Sequence, residues 1–223
     1  MEKPPPQLPP LILLSGMGAD GRLFREQRPC CANLITPDWI AHRPDDSLAS
    51  YAERMARHLD PGRACYVGGV SFGGMVALEM ARHLDAKACF LIGSIRSSRE
   101  LPLRIRALKP LAGLVPEACG AVPVWLAKAL SPLAKPLLRP ARLSMLRQLA
   151  DSQGRFLRWA GLAVLGWNPD PDRPAVPVHQ IHGDRDYILP HHLTRPDVLV
   201  RGGGHLLPLT HPQAVNEFLE YNM

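Results

Sequence analysis

The chain has 223 residues, is 46% hydrophobic and 21% charged, and carries a net charge of +6. Those values describe an ordinary globular chain with one sizeable core, and they exclude a disordered or collagen-like polymer. No stretch approaches the roughly 20 uninterrupted apolar residues of a membrane span.

After a proline-rich leader, Leu11 to Leu14 reads as a short, fully apolar strand of the buried parallel type. The leader shows no secretory signal, because its prolines leave too short an apolar run. Ser15-Gly16-Met17-Gly18 then turns the chain, with Asp20 as the cap of a helix from about Gly21. Asn33 to Thr36 is expected to be a second strand. Ser47 caps the next helix, with Tyr51, Met55 and Leu59 along one face. Ala64 to Gly68 is the third strand, a helical run extends from Met75 to Leu84, and Ala88 to Ile92 is the fourth strand.

Regular alternation stops there. Leu101 to Trp167 holds helical pieces at Val124–Leu130, Ser144–Ser152 and Phe156–Leu165, with prolines expected to break them into short, angular segments. Trp125, Leu130, Met145, Phe156 and Trp159 are candidates to line a pocket, or simply to fill the interior of this segment. Val176 to Ile181 and Asp197 to Val200 resume the strand pattern, and a last helix runs from about Pro212 to Tyr221. The expected fold is α/β: an open, mostly parallel sheet of about six strands with helices on both faces. The expected organisation is a core over 1–98, a helical cap insertion over 99–170, and the rest of the core over 171–223.

Charge is unevenly placed. Residues 99–165 carry 11 Lys and Arg against 3 Asp and Glu, a balance of +8, so the remainder carries −2. This is either a solvated helical face or a surface for an anionic group, with a carrier protein or an anionic membrane as partner. Nothing resembles a nucleic-acid-binding module. The five cysteines have neither metal-type spacing nor a disulfide framework; Cys65 and Cys89 read as buried apolar residues. A reducing, cytoplasmic location is expected. His191-His192 lacks partner ligands at metal-type spacing, so no metal and no organic cofactor are implied.

The chemistry concentrates in three loops at the expected carboxyl ends of strands. Gly69-Val70-Ser71-Phe72-Gly73 sits at a strand-to-helix junction and reads as a nucleophile elbow, a turn tight enough to push a serine onto an exposed tip. A serine hydroxyl needs an adjacent base, itself oriented by a carboxylate. His182-Gly183-Asp184-Arg185-Asp186 follows the fifth strand, and Gly202-Gly203-Gly204-His205 follows the sixth. The hole for a developing oxyanion needs two backbone N–H groups. Phe72, the residue after the serine, supplies one, and the loop after the first strand is placed to supply the other.

These motifs resemble the α/β-hydrolase superfamily, in its serine esterase and lipase-like branch. The resemblance implies Ser71 as nucleophile, His205 as general base and then acid, and Asp186, rather than Asp184, as the orienting carboxylate. It points to the Met17 N–H as the second oxyanion donor, although Ser15 stands where the family usually has histidine. It further implies hydrolysis of a carboxylic ester or thioester through an acyl-enzyme. A lyase, acyltransferase or C–C hydrolase on the same three residues, a catalytically silent binding member and a peripheral membrane lipase are the alternatives. His179 and His182 are read as structural.

Overall fold

A computed structural model describes residues 8–116, 118–134, 138–169 and 176–223. The leader's first seven residues and the expected cap-to-core boundary near residue 170 lie outside the described residues. In chain order the elements are β1 (Leu11–Leu14), β2 (Leu34–Ile35), α1 (Leu48–Leu59), β3 (Cys65–Val70), α2 (Phe72–Met80) and β4 (Ala86–Ile92). Then come α3 (Leu103–Arg106), α4 (Ala118–Ala134), α5 (Pro140–Asp151), α6 (Gly154–Gly166), β5 (Val178–Gly183), β6 (Val198–Val200), α7 (Leu207–Thr210) and α8 (Pro212–Asn222). Single 3-10 turns fill several of the connections, including Gly21–Phe24, where the Asp20 side chain accepts from the Arg22 N–H.

The six strands pair in parallel throughout, in the order β2-β1-β3-β4-β5-β6. Alternate residues on each strand face opposite sides. Ile12, Leu14, Val67, Cys89 and Leu91 join one apolar cluster with residues of α1, α2 and α6. Leu11, Leu13, Tyr66, Phe90 and Ile92 join another with residues of α7 and α8. Helices on both faces explain why the central strands β1 and β3 are buried along their whole length.

Because β2 and β3 flank β1 on opposite sides, chain progression reverses at β1 and β3. That reversal parts the loops leaving their carboxyl ends and opens a crevice there. The loop after β1 and the Ser71 turn after β3 therefore border the same crevice.

The helices between β4 and β5 depart from one expectation. Prolines do not break them: α4 runs for 17 residues with Pro123 and Pro132 inside it. Each proline removes one backbone hydrogen bond at a cost of about 3 kcal/mol. Both rings lie on the exposed side, while Val124 and Ala127 are buried, so packing on that side holds the helix together. Trp125 and Leu130 lie off that buried stripe and are 68% and 50% exposed, so they do not fill the interior of this segment. Phe156 and Trp159 of α6 are buried against the core as expected, while Met145 packs toward the opposite cluster. Among the described residues no helix is long and apolar enough to cross a membrane.

Candidate active site

Ser71 is the one non-glycine residue among those described with positive φ, at φ 54° and ψ −120°. That conformation is costly for any residue with a Cβ and persists only where the surroundings enforce it. The enforcement is visible in its two glycines. A methyl group at Gly69 would sit 2.5 Å from the Gly73 carbonyl carbon, and one at Gly73 would run into the backbone carbonyls of Leu14 and Ser15. β1, the turn and α2 thus approach at backbone contact, and the serine is left at the tip. Ser94, fully buried after β4, donates from Oγ to the Ser71 carbonyl at 2.7 Å and ties the turn to the neighbouring strand.

Asp186 and His205 meet. His205 Nδ1 lies 2.7 Å from Asp186 Oδ2, and Asp186 Oδ1 accepts from the N–H groups of Ile188 (2.9 Å) and Leu189 (3.0 Å). The carboxylate is 3% exposed. Burial by itself would raise its pKa, but hydrogen bonds from His182 and His205, and from the Leu189 N–H, hold it well below the usual carboxylate range. Asp184, the rival acid, accepts from the Gly202 N–H at 2.7 Å. Half-buried, it pins the glycine turn that presents His205.

Ser71 and this pair flank the end of one strand. Ser71 N–H donates to Ile92 O at 3.1 Å, and the next residue is Gly93. A methyl group at Gly93 would sit 3.6 Å from Asp186 Oδ2 and 3.7 Å from His205 Nδ1. The Ser71 hydroxyl has no hydrogen-bond partner among the described residues, so its contact with His205 Nε2 is not formed here. Such contacts are often long or misaligned without substrate and tighten in the Michaelis complex.

The loop after β1 closes on itself, with the Ala19 N–H donating to Gly16 O (3.1 Å) and Ser15 Oγ to Ala19 O (2.9 Å). Ser15 thereby fixes the loop locally without a histidine. A methyl group at Gly16 would lie 3.7 Å from Ser71 Cβ, so the Met17 peptide follows directly beside the serine. Neither the Met17 nor the Phe72 N–H donates to a protein acceptor among the described residues. Phe72 opens α2, where unpaired N–H groups and the helix dipole favour negative charge.

An aromatic wall flanks this corner. The Trp39 ring lies 5.3 Å from Phe72 and 5.4 Å from Phe156, and Phe72 stands edge-on to Phe156 at 6.0 Å. A cavity of about 450 Å³ opens against it, bordered by Gly18, Asp20, Trp39, His42, Gln148 and Phe156. A larger cavity of about 810 Å³ between α1 and α6 shares His42 and Arg155 with it. The smaller one borders the loop after β1. Trp39, Ser94 and His182 carried no signal in the sequence, since a lone aromatic, serine or histidine beside a strand is ordinary. Among the described residues no group of three or more His, Cys, Asp or Glu stands where it would hold a metal ion.

Residues 11–218 match the model of the Alpha/beta hydrolase family. A search of curated proteins finds no match. Among solved structures, a thermophilic esterase from Thermogutta terrifontis is similar with a TM-score of 0.73 and 19% identity, over 96% of this chain and 88% of that one. A hydrolase from Pseudomonas aeruginosa PA01 follows at 0.70 and 18%, over 96% and 89%. MenH from S. aureus also gives 0.70, at 17% over 96% and 94%. At these identities the likeness is one of fold.

Proposed function

Because the chain belongs to the alpha/beta hydrolase family, we propose that it is a serine hydrolase of carboxylic esters or thioesters, working through Ser71, His205 and Asp186. The observation that carries this reading is the 2.7 Å contact between a buried carboxylate and the imidazole of His205, at the strand end beside a strained serine. With Nδ1 committed to Asp186, the other ring nitrogen, Nε2, is left to serve the hydroxyl. Catalysis requires the Ser71 hydroxyl to reach Nε2 when substrate is bound.

In the first half-reaction, His205 takes the Ser71 proton as Oγ attacks the acyl carbonyl. The Met17 and Phe72 N–H groups receive the developing oxyanion, one such donor being worth about 3 kcal/mol. The imidazolium, held by Asp186, then gives its proton to the leaving alcohol or thiol. In the second half, His205 takes a proton from water, hydroxide adds to the acyl carbon, and the acid departs as Ser71 regains its proton. The Trp39, Phe72 and Phe156 rings support an apolar acyl part against them, and the adjoining 450 Å³ cavity, bordered by Asp20, Asp38, Gln148 and Arg155, adds a polar space of the size usual for small-ligand sites. Residues 99–170 are taken as the cap over that cavity, and their basic charge favours an anionic leaving group or carrier. The cytoplasm is the proposed location.

A fluorophosphonate probe tests the reading. Labelling of the native chain, lost in Ser71→Ala, supports it; no labelling of a folded native protein refutes it in favour of a silent binding member. Turnover of p-nitrophenyl esters of graded length beside acyl-CoAs then resolves ester from thioester.

A further inference from the structure

We propose that His182 is a positioning residue, whose Nε2–H clasps the loop carrying Asp186 and so fixes the carboxylate that orients His205. What that pair does rests on the function proposed above; the clasp does not.

His182 is the penultimate residue of β5 and is fully buried. Its Nε2 lies 2.6 Å from Leu189 O and 3.4 Å from Asp186 Oδ2. Both partners are acceptors, so the ring proton sits on Nε2. Leu189 is therefore gripped through both of its backbone groups, its N–H by Asp186 Oδ1 and its carbonyl by His182. Asp186 Oδ2, in turn, stands between two imidazoles, His205 at 2.7 Å and His182 at 3.4 Å. The loop from 184 to 190 is thus folded back and fastened to the strand it leaves. A strand paired on both sides, as β5 is by β4 and β6, is a rigid mount for such a fastening.

The opposite ring nitrogen makes the case sharper. Nδ1 is buried and has no hydrogen-bond partner among the described residues. An unsatisfied buried polar atom costs stability, and leucine would fill the same space without that cost. The gain from an imidazole here therefore lies on its Nε2 side. Without the clasp, Asp186 keeps its two peptide donors but its loop can sway, and His205 loses a fixed acceptor.

The test compares His182→Leu, His182→Gln and His182→Asn in the full chain. The Gln amide nitrogen reaches the place of Nε2, whereas the Asn amide stops at the place of Nδ1. Rates are taken per folded molecule, with thermal melts monitoring folding. His182→Leu is expected to lower kcat on a p-nitrophenyl ester about 10- to 100-fold, the loss of one hydrogen bond in a charged network, with KM within about twofold. His182→Gln is expected to recover to within about threefold, and His182→Asn to stay low. Proton NMR should show the low-field His205 Nδ1–H broadened in His182→Leu and sharp again in His182→Gln. Wild-type kcat in His182→Leu, or Gln and Asn variants of equal activity and equal spectra, would overturn the proposal. If His182→Leu does not fold, the Gln-against-Asn comparison decides. If the native chain proves to have no serine activity, the function fails while the NMR comparison still judges the clasp.

Discussion

Replacing Ser71 by glycine should make the protein more stable than replacing it by alanine. Alanine keeps a Cβ and so retains the strain of φ 54° and ψ −120°, while glycine adopts that region freely. Strain of this kind is worth about 1–3 kcal/mol. Glycine returns about 0.4–1 kcal/mol of it through the greater freedom of its unfolded chain. The Ser71 hydroxyl makes no hydrogen bond among the described residues, and alanine as the reference cancels its removal in any case. The net advantage of glycine over alanine centres near 1 kcal/mol, or about 2–4 °C in Tm for a chain of this size. Urea unfolding of the two variants under identical conditions measures it. If the glycine variant is the less stable of the two, the turn is not strained and the account of how the serine is presented fails.

Four further outcomes follow from the same geometry. Gly73→Ala forces a methyl group into the carbonyls of Leu14 and Ser15, which are backbone and cannot swing aside; a loss of about 3 kcal/mol in urea unfolding is expected. Asp186→Asn should lower kcat about ten-thousand-fold by spoiling the tautomer of His205. Asp184→Asn, whose amide oxygen can still accept from Gly202, should stay within about threefold of wild type; equal losses in the two variants would erase the distinction between the carboxylates. The depressed pKa of Asp186 fixes a sign for stability against pH. Its charged form contributes in full above the unfolded value near 4, and the contribution drains away as pH falls toward the lower folded value. The stability advantage of wild type over Asp186→Asn should therefore shrink steadily in urea titrations taken from about pH 5 down to pH 2.

The strands were legible because a parallel sheet buried on both faces writes itself as short apolar runs. Leu11–Leu14 matches its run residue for residue, and the run Ala88–Ile92 lies within β4. β3 starts one residue later than the expected run, at Cys65, and ends two later, since Gly69 and Val70 still pair with β4 before the chain turns. That an acid after β5 meets His205 was legible from motif order, because both loops leave neighbouring parallel strands at the same end, but the choice of Asp186 over Asp184 came from the family resemblance. What escaped was whatever depends on packing between distant segments. Whether Pro123 ends a helix is decided by which side of α4 is buried, and its own neighbours do not record that. The grip of His182 on Leu189 depends on how a loop doubles back, and the place of Trp39 against Phe72 depends on how α6 settles onto the core.

The segment spanning α4 to α6 is attached to the sheet domain in two unlike ways. On one side Trp39, Tyr51, Phe72, Phe156 and Trp159 form a continuous stack of rings. On the other, Arg22 links Asp20 to Asp151 through half-exposed ion pairs, and Gln148 accepts from the Asp20 N–H. Exposed pairs of that kind are worth about 0–1 kcal/mol and weaken as salt is added, whereas apolar stacking does not. Added salt therefore weakens the Arg22 contacts alone, by at most about 1 kcal/mol, while the ring stack and the apolar packing of Met145 and Leu149 keep the segment seated on the core.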